Sequence, residues 1–158
     1  MRDPENPDTP LPETERTAAA LDGYVVEDQV GFLMRRANQR HTALFADGMA
    51  AADLTPTQFT ALVKVCEMGR VTQNHLGRLT AMDPATIQGV VRRLIERDLV
   101  SRTTDPLDRR TIVVAPTQAG LALTARAVVA ARRITEATLE PLTADEQRQI
   151  LSLLRKLG

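Results

Sequence analysis

The stretch TQNHLGRLTAMDPATIQGVVRRLIE, Thr72–Glu96, decides how this chain is read, together with SRTTDPLDRRTIVVAP, Ser101–Pro116. Asp83 followed by Pro84 marks a helix start. The carboxylate can cap free N–H groups, and proline loses nothing at the first helical position. Beyond it Ile87, Val90, Val91, Leu94 and Ile95 recur at helical spacing and predict a buried face. Ala85, Gln88, Gly89, Arg92 and Glu96 fall on the opposite side, flanked by Thr86 and Arg93. Small, hydrogen-bonding and cationic groups on one helix face suit a major groove, where Gln pairs with base edges and Arg with guanine or phosphate.

Thr72 caps a shorter helix just upstream, with Leu76 and Leu79 expected inward. Its first residues, Thr72, Gln73 and Asn74, place N–H groups and short polar side chains where a phosphate can be held. Downstream, Leu99–Thr104 and Arg110–Ala115 are strand candidates, Ile112 and Val114 alternating with Thr111 and Val113. Asp105-Pro106-Leu107-Asp108 supplies turn chemistry between them. Arg109 and Arg110 then sit on a projecting loop, Arg109 at the tip and Asp108 orienting the arginines. Minor-groove potential attracts such guanidinium groups. Helix, turn, helix and hairpin together predict a mainly α fold with a small β wing, a winged helix-turn-helix binding double-stranded DNA.

Outward from this core, residues 1–20 are rich in Pro, Thr, Glu and Asp without apolar periodicity, and predict a disordered acidic arm. Residues 21–51 form an N-terminal dimerisation segment whose long helical pattern runs from about Val26 to Ala51, with Val26, Val30, Leu33, Ala37 and Leu44 along one seam and Met34, His41, Phe45 and Gly48 along the next. A second helix begins at Thr55-Pro56-Thr57-Gln58, a capping box with proline at the first position. Phe59, Leu62, Val63 and Cys66 mark its expected buried face, Gly69 its end, and Val71 a short strand edge. Residues 54–116 therefore form the DNA-binding region. Residues 117–158 return to helix, broken at Pro141 and restarted by the capping box Thr143-Ala144-Asp145-Glu146. The terminal helices carry more apolar surface than one small domain buries, which predicts a dimer through 21–51 and 117–158.

The chain has 158 residues, a formal net charge of zero, no Trp and one cysteine, Cys66. Neutrality speaks against a nucleic-acid binder until the distribution is considered. Asp3, Glu5, Asp8, Glu13, Glu15 and Asp22 crowd the first 22 residues, while Arg78, Arg92, Arg93, Arg102, Arg109 and Arg110 gather on the DNA face. Screening over about 8 Å separates the two fields. A single cysteine excludes an intrachain disulfide and suits the cytoplasm. No apolar run is long enough for a bilayer, and no signal peptide is recognisable. His41 and His75 are too far apart for a metal site, and neither a phosphate-binding glycine loop nor a nucleophile elbow is present. The chain is read as neither enzyme nor cofactor binder.

The order of elements, with Leu54-Thr55-Pro56-Thr57-Gln58-Phe59, Thr72, Leu76, Leu79, Val91-Arg92-Arg93-Leu94, Leu99-Val100-Ser101-Arg102, the wing and Ala115-Pro116-Thr117 before Gly120, resembles the multiple-antibiotic-resistance-regulator (MarR) family. The resemblance runs from Val26 to the C-terminus. It implies a homodimeric repressor on a pseudo-palindromic operator, released by a small, often aromatic, anionic effector. Asp98 stands where the family usually has Gly, and Gly77 where it usually has Ala. The run Gln88–Arg93, with Arg35-Arg36 and Arg40-His41, resembles the subgroup controlling catabolism of aromatic acids or their coenzyme A thioesters. On that resemblance His41, Phe45 and Phe59 line the effector pocket, and Arg36 and Arg40 meet its carboxylate or phosphate. Two other readings stand beside this one. The arginine face could contact an acidic protein instead of DNA, or Cys66 could sense oxidants, although its apolar neighbours predict a buried, inert thiol.

Overall fold

Capping side chains at Thr55, Thr72, Asp83, Thr117 and Thr143 open the later helices in the computed structural model, which describes residues 12–104 and 111–157. The order is α1 (Glu13–Leu21), α2 (Val30–Met49), α3 (Pro56–Met68), β1 (Val71–Thr72), α4 (Gln73–Leu79), α5 (Pro84–Glu96), β2 (Val100–Thr104), β3 (Ile112–Pro116), α6 (Gln118–Leu139) and α7 (Ala144–Leu157). Short 3-10 turns at Val26–Asp28 and Ala50–Ala52 flank α2. The chain divides into two units, residues 1–39 and 40–158.

In the first unit, residues 13–21 are helical where a disordered arm is expected from the sequence. Pro12 precedes the helix, and Pro12 O accepts from the N–H groups of Glu15 and Arg16. Ala18, Ala19 and Ala20 favour helix, a local preference outweighed in the reading by the acidic, proline-rich residues before them. No residue of α1 is buried. The long helix starts at Val30 instead of Val26, because Gln29 adopts an extended backbone after the 3-10 turn. Val26, Val30 and Leu33 of the first expected seam and Met34 of the second are all exposed in the single chain.

The second unit holds one aliphatic core. Phe45 and Met49 from α2, Leu62 and Val65 from α3, Leu76 from α4, Ile87, Val91 and Leu94 from α5, Val100 and Val114 from the sheet, and Leu123, Ala127 and Ile134 from α6 are buried together. The face expected of α3 is rotated. Gln58, Ala61, Leu62 and Val65 are buried, whereas Phe59, Val63 and Cys66 are half-buried. Leu79 is exposed rather than inward, because the seven-residue α4 turns only Leu76 and Gly77 into the core.

The sheet is antiparallel in the order β1-β3-β2, with Val71 opposite Val114 and Arg102 opposite Val114 on the other edge. Close backbone approaches hold the helices against it. A Cβ on Gly77 would lie 3.2 Å from Met82 O and 3.3 Å from Ile87 Cγ2, so glycine lets α4 seat tightly on α5. A Cβ on Gly120 would lie 2.0 Å from Leu99 O, fixing α6 against the α5–β2 junction. Asp98, which stands where the resembled family usually has Gly, adopts a positive φ of 52°, a backbone region that favours glycine.

Candidate nucleic-acid interface

The geometry begins with two capped helix starts. The Thr72 hydroxyl accepts from His75 N at 3.3 Å and opens α4. Asp83 accepts from Ala85 N and Thr86 N, both at 2.9 Å, and from the Thr86 hydroxyl. The Thr86 hydroxyl and N–H, with Ala85 N, hold the Asp83 carboxyl below the usual aspartate range. Because this pKa is lowered in the folded chain, the cap stabilises α5 above the ordinary aspartate range and is lost as pH falls through the lowered value. An NMR titration following the Thr86 amide is expected to show a midpoint below that of a solvent-exposed aspartate. An ordinary or raised midpoint would contradict the capping assignment.

Capped in this way, α5 buries Ile87, Val90, Val91 and Leu94 and leaves Ala85, Thr86, Gln88, Arg92 and Arg93 exposed, as its periodicity predicts. Gln88, Gly89 and Arg92 line an open depression of about 680 Å³ whose other walls include Gln73 of α4, Arg102 of β2 and Ile112 of β3. Gly89 is half-buried, yet a Cβ there would meet nothing within 4 Å. Packing does not demand this glycine; it lowers the wall of the depression. A smaller recess of about 300 Å³ adjoins Thr72, Gln73 and Asn74, with Arg78, Thr111 and Ile112 completing it. The start of α4, the outer face of α5 and the wing strands thus bring hydrogen-bonding and cationic groups onto one surface. Asp108, Arg109, Arg110 and the turn from Asp105 lie outside the described residues.

Arg92 and Arg93 diverge. Arg92 lines the depression and pairs with Glu96 at 3.7 Å, both side chains well exposed. Arg93 instead lines a separate pocket of about 510 Å³ bounded by the end of α2, the start of α3 and the end of α5. Arg97, which carried no role in the sequence reading, locks that corner: it donates to Ala52 O at 3.0 Å and to Asp53 O. Arg102, read from the sequence as part of the DNA face, lines the depression beside Arg92. Arg97 could not be placed from helical periodicity alone, because its role depends on how α5 sits against the turn after α2.

His41, Phe45 and Phe59 form a row, with ring centroids 6.2 Å and 5.9 Å apart. His41 Nδ1 lies 3.0 Å from Thr138 Oγ1, whose proton goes to Ile134 O at 2.7 Å. Thr138 therefore accepts from His41, which leaves Nε2 as the other ring atom free to face a partner. Arg40 donates to Ala137 O at 3.0 Å and lies 3.7 Å from Glu140. Arg36 belongs to the first unit, its guanidinium 6.0 Å from the Phe32 ring centroid. Cys66 is half-buried with Sγ 3.3 Å from Thr124 Oγ1. Among the described residues no group of three or more His, Cys, Asp or Glu could hold a metal. Among the described residues no helix is long and apolar enough to cross a membrane.

Comparison with known proteins places this geometry. A model of the MarR family matches residues 52–111. The chain is 42% identical over 146 residues to the transcriptional repressor NicR of Pseudomonas putida, covering 91% of this chain and 92% of that one. The structure is similar to a probable transcriptional regulator from Pseudomonas aeruginosa, at 48% identity and TM-score 0.82, covering 85% of this chain and all of the other. It is also similar to BpsR of Bordetella bronchiseptica, whose DNA binding is regulated by 6-hydroxynicotinic acid, at 39% identity and TM-score 0.81, covering 85% and 96%.

Proposed function

The chain belongs to the MarR family of winged-helix transcriptional regulators, and from that premise we propose that it is a homodimeric cytoplasmic repressor, released from a pseudo-palindromic operator by a small aromatic acid or its coenzyme A thioester. The carrying observation is the surface that brings Gln73 of α4, Gln88 and Arg92 of α5 and Arg102 of β2 together, set on a helix whose opposite face is buried in the core. Gln88 and Arg92 read base edges or grip phosphate. Ala85, Thr86 and Gly89 allow close approach, and Thr72, Gln73 and Asn74 seat a phosphate at the start of α4. Arg93 reaches the flanking backbone, and Asp108, Arg109 and Arg110 of the wing are proposed to extend contact along the duplex.

Dimerisation is supported by what a single chain leaves uncovered. Ile150, Leu153, Leu154 and Leu157 are exposed along α7, as are Leu21, Tyr24, Val26, Val30 and Leu33 in the first unit. Helices so apolar on one side are stable when that side is covered. Two recognition helices about one DNA turn apart then meet two half-sites. NicR is a repressor and BpsR responds to a heteroaromatic acid, which supports an effector of the same chemical class here. The effector acts by binding more tightly to the conformation that fits the operator less well.

The test is a gel-shift titration with duplexes from the promoter region beside this protein's own coding sequence, with and without 6-hydroxynicotinate and its coenzyme A thioester. A retarded complex with two protein subunits per duplex, dissolved by one of the ligands, is expected. Binding that ignores both ligands would overturn the effector class, and a single-subunit complex would overturn the dimer.

A further inference from the structure

Arg97 is the first residue past α5, and its side chain is committed to the protein rather than to the outer surface. The Arg92 side chain is 70% exposed and that of Arg97 31%. Two terminal nitrogens of Arg97 go to two successive carbonyls at the end of another helix: Nη2 donates to Ala52 O at 3.0 Å and Nη1 to Asp53 O. These carbonyls close the 3-10 turn that follows α2. Asp53 reverses the chain there at φ 49° and ψ 49°, its N–H donating to Met49 O at 3.0 Å and to Ala50 O at 3.2 Å. A helix end leaves its last carbonyls without donors from the helix itself, and here the guanidinium supplies them. The Asp53 carboxylate adds little, lying 3.9 Å away on a side chain 93% exposed. One side chain therefore ties the C-terminal end of α5 to the C-terminal end of α2.

We propose that Arg97 is a positioning residue for operator recognition: by holding the end of α5 on the end of α2 it fixes the tilt of the recognition helix, and with it the half-site spacing that a dimer accepts. This rests on the proposed repressor function and adds what sets its spacing. Burial of Ile87, Val90, Val91 and Leu94 holds α5 to the core, but burial is not directional and tolerates small rotations. A planar guanidinium forked across two carbonyls does not, because a tilt misaligns both bonds. The lever is long. The thirteen residues of α5 span about 20 Å, so a tilt of about 5° at one end moves the other by about 2 Å, more than a hydrogen bond to a base edge survives. The proposed dimer forms through residues 21–51, so α2 is the element to which the angle of each recognition helix is referred. Contacts to phosphate are less exacting, since the backbone charge attracts cations whatever the sequence. Loosening this fork therefore costs sequence and spacing discrimination first.

The experiment starts from duplexes that the full wild-type chain selects out of a random-sequence pool. Fluorescence anisotropy then compares wild type, Arg97→Ala, Arg97→Lys and Asp53→Asn on three duplexes: the selected one, the same with one base pair inserted between its half-sites, and an unrelated sequence. The wild type is expected to bind the inserted duplex about tenfold or more weakly than the selected one. Arg97→Ala is expected to lose about tenfold on the selected duplex, to match the wild type on the unrelated one, and to discriminate less between the two spacings. Arg97→Lys, a point charge in place of a fork, is expected to recover only part of the loss. Asp53→Asn keeps both carbonyls and suits the left-handed turn, and is expected to behave as the wild type. Weakening by one common factor on all three duplexes, with a lowered melting temperature, is what a merely structural role would give and would overturn the proposal. So would full spacing discrimination in Arg97→Ala, or an equal loss in Asp53→Asn. A selection that enriches no two-part sequence would instead overturn the functional reading beneath it.

Discussion

Replacing Gly120 by alanine is expected to cost about 3 kcal/mol or more of folding stability, far beyond the usual effect of adding a methyl group to a helix. The new carbon would stand 2.0 Å from Leu99 O and 3.0 Å from Leu99 C, both backbone atoms that cannot rotate aside. The surroundings cannot yield cheaply. Thr117 N donates to Leu99 O at 3.2 Å, and the Thr117 hydroxyl donates to Asp98 O at 2.6 Å while accepting from Gly120 N at 3.0 Å. Making room means pulling the start of α6 off the α5–β2 junction and losing these bonds together. Urea unfolding should show a lower midpoint at an unchanged slope. A midpoint within experimental error of the wild type would mean that the helix and strand are not pressed together here. By contrast Gly48→Ala, whose Cβ meets only the Ile134 side chain at 2.7 Å, should be repaired in part by a rotamer change and cost less.

What could be read from the sequence, and what could not, divides along a physical line. Capping chemistry is local: Thr55, Thr72, Asp83, Thr117 and Thr143 each begin a helix where a hydroxyl or carboxylate meets a free N–H group within three residues. The two faces of α5 were equally legible, because thirteen residues give several turns of consistent periodicity. Shorter or less regular segments were not. Leu79 looks inward only if α4 continues, and α4 ends there. On α3, Phe59 and Cys66 are large enough to suggest a buried face, but the core chose Gln58 and Val65 because the capping box consumed the glutamine's polar oxygen. The opposite destinations of Arg92 and Arg93 were invisible, since they follow from where α2 and α3 stand. The wing strands were read to within two residues at each end, but not their alternation: Val113 and Val114 are both buried, because β3 is the central strand between β1 and β2.

The second large effect concerns the proposed contact itself. Arg92→Ala is expected to weaken operator binding by about a hundredfold or more, because a charged hydrogen bond is worth roughly 1.5–3 kcal/mol and a dimer loses two. The fold should barely respond. The Arg92–Glu96 pair at 3.7 Å is exposed on both sides, and exposed pairs of this kind contribute about 1 kcal/mol at most. The two outcomes separate cleanly in one preparation, with thermal melting near that of the wild type and fluorescence anisotropy on duplex DNA sharply weakened. Arg92→Lys divides the possible contacts further. Recovery of much of the affinity would identify a phosphate partner, and continued loss a bidentate guanine contact. Full affinity in Arg92→Ala would remove this residue from the interface.

If the exposed side of α5 and its neighbouring strands work against duplex DNA, equilibrium binding of the full chain to a promoter duplex depends steeply on salt. Log affinity should fall linearly with log salt, and a surface meeting six to ten phosphates should lose about three to five orders of magnitude between 50 and 200 mM. Affinity that stays flat over that range, or binding to an acidic protein without binding to duplex, would contradict it.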